Sequence, residues 1–545
     1  MNYFQKGYDR VKENLYKQLC EDYEKRGLWK LYTHSEKLRK CAEKYGERIA
    51  LIDGQEEISY NELVRRSDAM AAYFLLKGFV KGDRIVIQHI NCISFAVMCF
   101  GMFRIGVIPV LAMPSHREKE VGGIIGISGA SGYIVIRSYH GMEYTALADK
   151  MQELHPDLKI MFADDLEAVD LSEYTLDEES FVKPNNRDTA IIVLSGGSTG
   201  IPKLIARTHS DYLHSQKYCA LSCGMNEESV SLIAMPVTHN WNLCGPGLFG
   251  SIFSGALTIL SRNGSADEIL DYIERYHVTT VALVPSLVSA CLDILEFVGD
   301  IDVSSLKMIQ IGGALCSSQL AERAMQGFDC VISQIYGMGE GFVCATYPED
   351  SREQILYTQG RPISPGDILK IVDENDNEVP VGEAGEIIAR GPSVVTEYYG
   401  APELTAAYFT EDGFYRTGDK GMIRPEDGYI RILGRTREQI NRLGEKIMPS
   451  EIEEYLADYP DAETVCVTPA DDLELGQRIC LFIKPRDGAD RSQFTLQSIR
   501  SYLAERQVAT FKMPDQLVIV GEMPLTKVGK LDRKKMRELA EKGGI

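Results

Sequence analysis

A segment rich in glycines and hydroxyls, residues 195–203 (Ser-Gly-Gly-Ser-Thr-Gly-Ile-Pro-Lys), follows an apolar run at 189–194. The glycines let the backbone approach an anion closely, the three hydroxyls supply hydrogen-bond donors, and Lys203 adds positive charge. The spacing is not that of the P-loop, which has four residues between its first glycine and Gly-Lys-Ser/Thr and then continues into a helix. Pro202 and the apolar residues after it favour a second strand instead. We therefore predict a loop that holds phosphates, with a merely flexible hairpin as the alternative.

An aromatic ring and a carboxylate, Tyr336 and Glu340, follow another apolar run at 331–334. Ligands bind at the carboxyl edge of open α/β sheets, so both side chains are candidates for a binding site. A core tyrosine and a solvated glutamate are the alternative.

The elements that must position these residues alternate between apolar runs and amphipathic stretches. The predicted strands are 85–90, 107–111, 231–235, 256–260, 280–283, 307–311 and 331–334, and the predicted helices are 94–103, 243–253, 266–276, 285–295 and 317–325. This order predicts an α/β fold in which a mostly parallel sheet is covered by helices on both faces.

The chain has 545 residues, which exceeds the size at which one hydrophobic core keeps growing and predicts a large domain and a smaller one. After residue 337 the pattern changes to short strands with Gly, Pro and Asp turns, at 367–372, 385–390 and 429–433, which predicts a small β-rich subdomain. From about residue 437 an α+β domain is predicted, with helices at 450–457 and 496–504 and strands at 463–468 and 478–484. We place the boundary near 434–437, which divides the chain into 1–434 and 435–545.

Composition excludes several classes of protein. The net charge of −21 argues against a nucleic-acid-binding role, which needs clustered Lys and Arg. The thirteen cysteines show no CxxC pair, and no His/Cys cluster at zinc spacing is expected, so a reducing, cytoplasmic compartment is predicted. The first thirty residues lack the apolar core of a secretion signal. Residues 93–113 are apolar, but Arg104, Gly106 and Pro109 favour a buried helix followed by a buried strand over a membrane span.

The glycine-rich segment closely resembles the phosphate-binding motif of the adenylate-forming superfamily, which comprises acyl-CoA synthetases, luciferases and the adenylation domains of nonribosomal peptide synthesis. Together with residues 204–209 (Leu-Ile-Ala-Arg-Thr-His), it is similar to the stand-alone aryl-acid adenylating enzymes, the 2,3-dihydroxybenzoate–AMP ligases of siderophore assembly. The resemblance extends from Trp29 to Lys530. It implies the adenylate-forming fold: a large N-terminal domain of parallel and mixed sheets flanked by helices, a small β-barrel-like subdomain, and a small mobile C-terminal α+β domain.

The resemblance also implies ATP and Mg²⁺ as cofactors and assigns residues to them. The nucleotide-binding residues are expected to be Ser195, Gly196, Gly197, Ser198, Thr199, Gly200, Lys203, Gly313, Ala314, Tyr336, Gly337, Asp419 and Arg435. Among these, Tyr336 would stack on adenine and Asp419 would accept from both ribose hydroxyls, while Glu340 would hold Mg²⁺. Lys530, in a loop at 524–530, would be the catalytic lysine that balances charge at the α-phosphorus. A basic, solvated tail is the alternative for this last segment.

The acid-binding segment is expected at 235–241, directly after a predicted strand. Amino-acid-activating relatives have an aspartate that pairs with the substrate ammonium where this chain has Asn240. A buried carboxylate without a partner is costly, so the neutral Asn240 favours an aryl acid with no amino cation. The resemblance implies a catalytic role for His239 near the carboxylate and the α-phosphate. It places the acid against His239, Asn240, Trp241, Cys244, Gly245 and Val343.

The ring of the acid stays open. Gly245 stands where the dihydroxybenzoate enzymes have a serine that contacts a ring hydroxyl. A glycine there removes that hydrogen bond and is expected to add space. Salicylate, benzoate, 2,3-dihydroxybenzoate and a larger ring therefore stay as alternatives.

Two half-reactions follow from the resemblance. After adenylation, the small domain would rotate about Arg437 as the hinge, and Gly444 and Lys446 would serve the transfer of the acyl group to a thiol. The expected acceptor is the phosphopantetheine of a separate aryl carrier protein, in a monomeric or homodimeric enzyme without nucleic-acid or membrane partners. An aryl- or acyl-CoA ligase that uses coenzyme A is one alternative, and a catalytically inactive nucleotide-binding scaffold is another.

Overall fold

The computed structural model describes residues 10–195, 202–435, 438–442, 445–472, 475–506, 508, 512–526 and 530–542. Within these ranges the α-helices are Arg10–Lys25, His34–Tyr45, Tyr60–Leu76, Ile93–Ile105, Glu118–Ser128, Thr145–Leu154, Ala163–Glu167, His209–Ser222, Asn240–Cys244, Leu248–Ser254, Ala266–Tyr276, Pro285–Val298, Ser318–Phe328, Arg352–Tyr357, Pro402–Tyr408, Pro449–Tyr455, Leu496–Glu505 and Arg533–Glu541. Many begin at a residue whose side chain accepts a hydrogen bond from the first turn, as Ser59 and Thr208 do.

The largest sheet has nine strands in the described part of the chain. Their spatial order is Arg361–Pro362, Val343–Ala345, Val331–Gly337, Met308–Ile311, Thr280–Leu283, Val230–Ile233, Leu257–Leu260, Ile49–Ile52 and Glu57–Ser59. The inner strands pair in parallel and the edge strands antiparallel. The predicted β-α-β order and fold class are therefore confirmed.

A second sheet has six described strands, in the order Lys203–Thr208, Thr189–Ser195, Ile108–Ala112, Arg84–Gln88, Gly132–Val135 and Lys159–Phe162. All pairs are parallel except the hairpin at the edge formed by the first two strands. Helix Ile93–Ile105 and strand Ile108–Ala112 are almost entirely buried, as predicted for this apolar stretch. None of the helices in the described ranges has the length and apolar character of a membrane span.

The main core joins three sheets. Buried residues of both large sheets lie in one cluster with Ile371 and Ile387 of a third, antiparallel sheet formed by Ile368–Val372, Gly385–Arg390, Tyr415–Ile423 and Ile430–Arg435. Alternate residues of a strand point to opposite faces, so Ile233 packs into this core while its neighbour Leu232 packs into a second core. That second core lies against the helices Ala266–Tyr276, Pro285–Val298 and Ser318–Phe328.

The C-terminal part builds its own sheet from Ile440–Arg442, Glu445–Ile447, Ala462–Asp472, Gly476–Pro485 and Gln516–Ile519. Its two buried clusters contain only residues from Ile440 onward. The domain boundary at residue 434 stays a prediction.

One predicted element is wrong. The helix expected at 243–253 is two helices, Asn240–Cys244 and Leu248–Ser254, separated by Gly245-Pro246-Gly247 with a cis Gly245–Pro246 bond. Proline cannot donate a backbone hydrogen bond, and a side chain at Gly247 would lie 2.3 Å from the carbonyl oxygen of Asn242. A continuous helix does not fit this approach of the two backbones.

A buried histidine makes the stability of the fold depend on pH. The Nδ1–H of His214 donates to the carbonyl of Leu28 at 2.8 Å, and its Nε2 lies 2.9 Å from the hydroxyl of Ser364. Burial lowers the pKa of His214 to about 4. Between about pH 6.5 and 4, His214 is protonated in the unfolded chain but stays neutral in the folded chain. The free energy of unfolding therefore decreases as the pH falls through this window.

We therefore expect that, in this pH range, the His214→Gln variant takes up one proton fewer than the wild type on unfolding. The free energy of unfolding of the wild type should fall more steeply than that of the variant, by about 1.4 kcal/mol per pH unit in this window. Urea unfolding at several pH values measures the two slopes. His140→Gln, at an exposed histidine, should keep the wild-type slope. Equal slopes for His214→Gln and the wild type would contradict the assignment.

Candidate active site

The glycine-rich segment begins and ends on a hairpin of the six-stranded sheet. Strand Thr189–Ser195 pairs antiparallel with Lys203–Thr208, and Ser195 lies opposite Lys203 in the register. The predicted second strand after Pro202 is therefore present. Ser198, Thr199 and the three glycines of the segment lie outside the described residues. Of the predicted phosphate-binding set, the structure positions Ser195 and Lys203.

Glu340 is buried beside this hairpin. Its Oε1 accepts hydrogen bonds from the hydroxyl of Ser195 at 3.1 Å and from that of Tyr398 at 2.6 Å. Burial and the charge of Glu340 raise the pKa of Tyr398 well above its usual value, so its hydroxyl stays a donor. Lys203 Nζ lies 3.3 Å from the Tyr398 hydroxyl and 3.5 Å from the centre of the Tyr408 ring. The site thus joins a carboxylate, hydroxyl donors and a cation.

The turn that carries Glu340 is held by Arg207. This guanidinium is fully buried, is paired with Asp211 at 2.6 Å, and donates to the carbonyls of Gly339 at 3.2 Å and Ser393 at 2.8 Å. Gly341 follows with a φ of +107°, and a side chain there would overlap the Ser393 carbonyl oxygen. Arg207 and Tyr398 were not predicted as functional residues. Arg207 lies within the quoted motif, but no local signal marks Tyr398.

Asp419 lies at the centre of a second polar group. The hydroxyl of Tyr336 donates to its Oδ2 at 2.7 Å, and Nε of Arg435 lies 2.9 Å from its Oδ1. Arg435 is opposite Asp419 because their strands pair in antiparallel register. Each carboxylate oxygen can accept more than one hydrogen bond, so a ribose diol would share or replace these contacts. Stacking of Tyr336 on adenine stays a prediction.

Lys530 reaches the carboxyl edge of the nine-stranded sheet from the C-terminal part. A Cβ at Gly313 would lie 3.6 Å from Lys530 Nζ, and Gly313 and Ala314 are both exposed at the end of strand Met308–Ile311. Burial and the neighbouring charge of Arg435 lower the pKa of Lys530. The segments that carry Gly313, Arg435 and Lys530, which are far apart in the chain, therefore lie close together.

The predicted acid-binding segment contains a neutral histidine and an amide held by a hydrogen bond. Burial, and secondarily the charge of Lys530, lower the pKa of His239 to about 4, so the imidazole is uncharged at neutral pH. Its ring accepts from the backbone N–H of Trp241 at 3.4 Å. The hydroxyl of the buried Tyr212 donates to the Asn240 side-chain carbonyl at 2.9 Å, and the indole N–H of Trp241 donates to Gln310 at 2.9 Å. Tyr212 was not predicted from the sequence.

Gly245 does not open the space that the sequence led us to expect. A Cβ at this position would lie 2.6 Å from the Cβ of Cys219 in helix His209–Ser222. Cys219 therefore already fills the space that a side chain at residue 245 would occupy. The neighbouring Cys244 is buried, with its thiol 3.4 Å from the Ser215 hydroxyl. Their role in substrate binding stays a prediction.

Of the remaining predicted residues, the described ranges include Val343 and Lys446 but not Arg437 and Gly444. Val343 is buried and lies opposite Gly337 in a hairpin at the sheet edge. Arg437, the predicted hinge, and Gly444, predicted to serve thiolation, lie outside the described residues. Lys446 belongs to strand Glu445–Ile447, and its predicted role stays a prediction.

Two family models match the chain: "AMP-binding enzyme" over residues 38–399 and "AMP-binding enzyme C-terminal domain" over residues 451–530. The chain is 40% identical to a 2,3-dihydroxybenzoate-AMP ligase of Bacillus subtilis (strain 168), over 96% of both chains. It is 34% identical to a salicylyl-CoA synthase / salicylate adenylyltransferase of a Streptomyces species, also over 96% of both. The apo structure of MbtA from Mycobacterium smegmatis superimposes with a TM-score of 0.70 at 31% identity, covering 96% of this chain and 97% of that one. The chain therefore belongs to the AMP-binding, adenylate-forming enzymes.

Proposed function

We propose that this enzyme is an aryl-acid–AMP ligase. It joins an aryl carboxylate, such as 2,3-dihydroxybenzoate, salicylate or a related ring, to ATP, and it passes the acyl group to the phosphopantetheine thiol of an aryl carrier protein. The observation that carries the choice of acid is Asn240, a neutral amide held by Tyr212 beside the uncharged His239. A substrate ammonium would find no carboxylate at this position. The names of the two relatives at 40% and 34% identity support the same class of acid.

In the first half-reaction a carboxylate oxygen of the acid attacks the α-phosphorus of ATP, and the bond to pyrophosphate breaks. Negative charge grows on the phosphoryl oxygens in the transition state, where a preorganised cation is most effective. Lys530, next to Gly313, supplies that cation. His239 is uncharged, so it orients the attacking carboxylate without neutralising it. Asp419 and Tyr336 hold the nucleoside, and Ser195 and Lys203 lie at the phosphates.

The surroundings of Glu340 fit Mg²⁺. Hard divalent cations prefer carboxylate and hydroxyl oxygens, and Glu340 is a buried carboxylate among the hydroxyls of Ser195 and Tyr398. Glu340 would hold the ion, which would neutralise charge on the phosphates of the bound nucleotide. Arg207 keeps the Glu340 turn in place.

The second half-reaction uses the C-terminal domain, which we place at 435–545 beside an N-terminal domain at 1–434. Rotation about Arg437 would remove Lys530 and bring Gly444 and Lys446 to the acyl-adenylate, where the thiol attacks the carbonyl carbon and AMP leaves. The salicylyl-CoA synthase named above favours coenzyme A as a second candidate acceptor. Transfer from acyl-AMP to a carrier protein and to coenzyme A, measured side by side, separates the two.

The proposal is tested by ATP–pyrophosphate exchange with benzoate, salicylate, 2,3-dihydroxybenzoate, 3-hydroxypicolinate, amino acids and fatty acids. Exchange confined to aryl acids is expected. Exchange with amino or fatty acids instead would contradict the argument from Asn240. Binding of ATP without exchange for any acid would favour the inactive scaffold.

Asn240→Asp should weaken the use of aryl acids. The new carboxylate would lie close to the substrate carboxylate in a desolvated site, at a cost of about 1–2 kcal/mol, which corresponds to about a 5- to 30-fold fall in kcat/KM for the acid. The KM for ATP should change little. Asn375→Asp makes the same change at an exposed residue and should have no effect. An unchanged kcat/KM for the acid in Asn240→Asp would show that Asn240 does not contact the acid.

A further inference from the structure

Three potential metal ligands meet outside the active site. His89 directly follows strand Arg84–Gln88, Cys92 directly precedes helix Ile93–Ile105, and Glu167 ends helix Ala163–Glu167. One ligating atom of each lies within 4.8 Å of the others. His89 and Cys92 are each 2% exposed, whereas the Glu167 side chain is 44% exposed, so the group can be reached from solvent. The spacing in the sequence did not reveal this group, because Glu167 lies 75 residues beyond Cys92.

Two of the three separations between ligand atoms match those of a tetrahedral zinc site. Normal zinc–ligand bond lengths place sulfur and nitrogen about 3.6 Å apart, and nitrogen and oxygen about 3.4 Å apart. Here Cys92 Sγ lies 3.4 Å from His89 Nε2, and that nitrogen lies 3.5 Å from Glu167 Oε1. Ser94 Oγ lies 3.1 Å from both the sulfur and the nitrogen and donates to Glu167 Oε1 at 2.5 Å, so it supports the three ligands from the side.

Hydrogen bonds explain only part of this arrangement: the Ser94 hydroxyl donates to Glu167 Oε1 at 2.5 Å, and the Cys92 thiol donates to the Ile90 carbonyl at 3.5 Å. Nε2 of His89 faces a thiol, a hydroxyl and a carboxylate oxygen, but one ring nitrogen can donate or accept only one good hydrogen bond. A histidine that passes protons between two groups would instead use both ring nitrogens, with one hydrogen-bond partner on each. A cation at the centre satisfies all the ligand atoms together. A thiolate, a carboxylate and a neutral imidazole also carry two negative charges, which balance a divalent ion.

We propose that His89, Cys92 and Glu167 bind a divalent cation of the zinc type, with a water molecule as the fourth ligand. A thiolate together with an imidazole selects zinc-like ions over Mg²⁺ and Ca²⁺, which prefer oxygen ligands alone. The ion would join the end of a strand, the start of one helix and the end of another.

The site is connected to the acid-binding segment through Asn91. The Asn91 side chain donates to the carbonyls of Ile233 at 3.2 Å and Met235 at 2.9 Å and accepts from the N–H of Val237 at 2.8 Å. Because Asn91 lies between His89 and Cys92, a bound ion would restrain the backbone that positions these contacts. The ion would therefore be a structural support for residues 235–237.

The experiment measures binding of Zn²⁺ and Co²⁺ to the full chain by competition with a chromophoric chelator. The wild type is expected to bind one equivalent, and the Co²⁺ form should show thiolate-to-cobalt charge-transfer absorption. Glu167→Gln changes an exposed side chain and should fold normally, with affinity reduced about tenfold or more. Cys92→Ser should abolish the charge-transfer absorption.

Matched controls are Glu173→Gln, at an exposed acid near Glu167, and Cys99→Ser, at a buried thiol in the same helix as Ser94. Both should keep wild-type affinity and absorption. Equal zinc affinity in the wild type, Glu167→Gln and Cys92→Ser, or a wild type without the cobalt–thiolate absorption, would overturn the proposal. These readouts do not involve adenylation, so they are independent of the proposed function.

Discussion

Replacing Lys530 by alanine is expected to lower the rate of ATP–pyrophosphate exchange by about 10²- to 10³-fold, the loss typical of removing one preorganised group that stabilises transition-state charge. The structure places this ammonium at the exposed Gly313 turn, and the positive charge of Arg435 is also felt there. Arg435 is paired with Asp419 and cannot take over the role of Lys530. The KM values for ATP and the acid should change much less than kcat, because the lysine acts mainly in the transition state.

Two measurements make this expectation specific. Lys534→Ala removes a neighbouring, exposed lysine and should retain wild-type exchange. Transfer of the acyl group from a supplied acyl-adenylate to the thiol acceptor should be nearly normal in Lys530→Ala, since that step does not form the bond to phosphorus. Equal loss of both half-reactions would show that Lys530 supports the fold or the common site rather than adenylation.

Glu340→Gln should reduce exchange about 100-fold at low Mg²⁺ and raise the Mg²⁺ concentration required for half-maximal activity. Glutamine keeps the size of the side chain and an oxygen that can accept from Ser195 and Tyr398, so the buried turn should persist. It removes the negative charge that a hard divalent cation requires. A titration of exchange activity with Mg²⁺ measures the shift, and high Mg²⁺ should restore part of the rate.

The matched control is Glu349→Gln, at an exposed glutamate in the segment that follows the same hairpin. Its Mg²⁺ dependence should equal that of the wild type. If Glu340→Gln were equally inactive at every Mg²⁺ concentration and had a lower thermal stability, Glu340 would be a structural acceptor for Ser195 and Tyr398 and not a metal ligand.

The parts of the fold that follow from local pattern were predicted well. Helix Ala266–Tyr276 and strands Thr280–Leu283 and Gly385–Arg390 have the predicted bounds. Amphipathic and apolar periodicity report directly on which face of an element is buried. The failure at 243–253 has a local cause that the apolar pattern hides, because Pro246 cannot donate a helical hydrogen bond and Gly247 closely approaches the Asn242 carbonyl.

The residue types of the sequence indicated two sites for chemistry, the glycine-rich hairpin and the acid and aromatic at a strand end, whereas Asp419 and Lys530 were indicated by resemblance to a family. These signals are local, because each depends on residue types at short spacing. Only the tertiary structure decided how they are supported. Tyr398 donates to Glu340 across 58 residues of chain, and Arg207 holds the Ser393 carbonyl across 186. Such contacts depend on how distant segments pack together, which short spacings do not encode, and the same reason left the cluster of His89, Cys92 and Glu167 hidden until the fold was known.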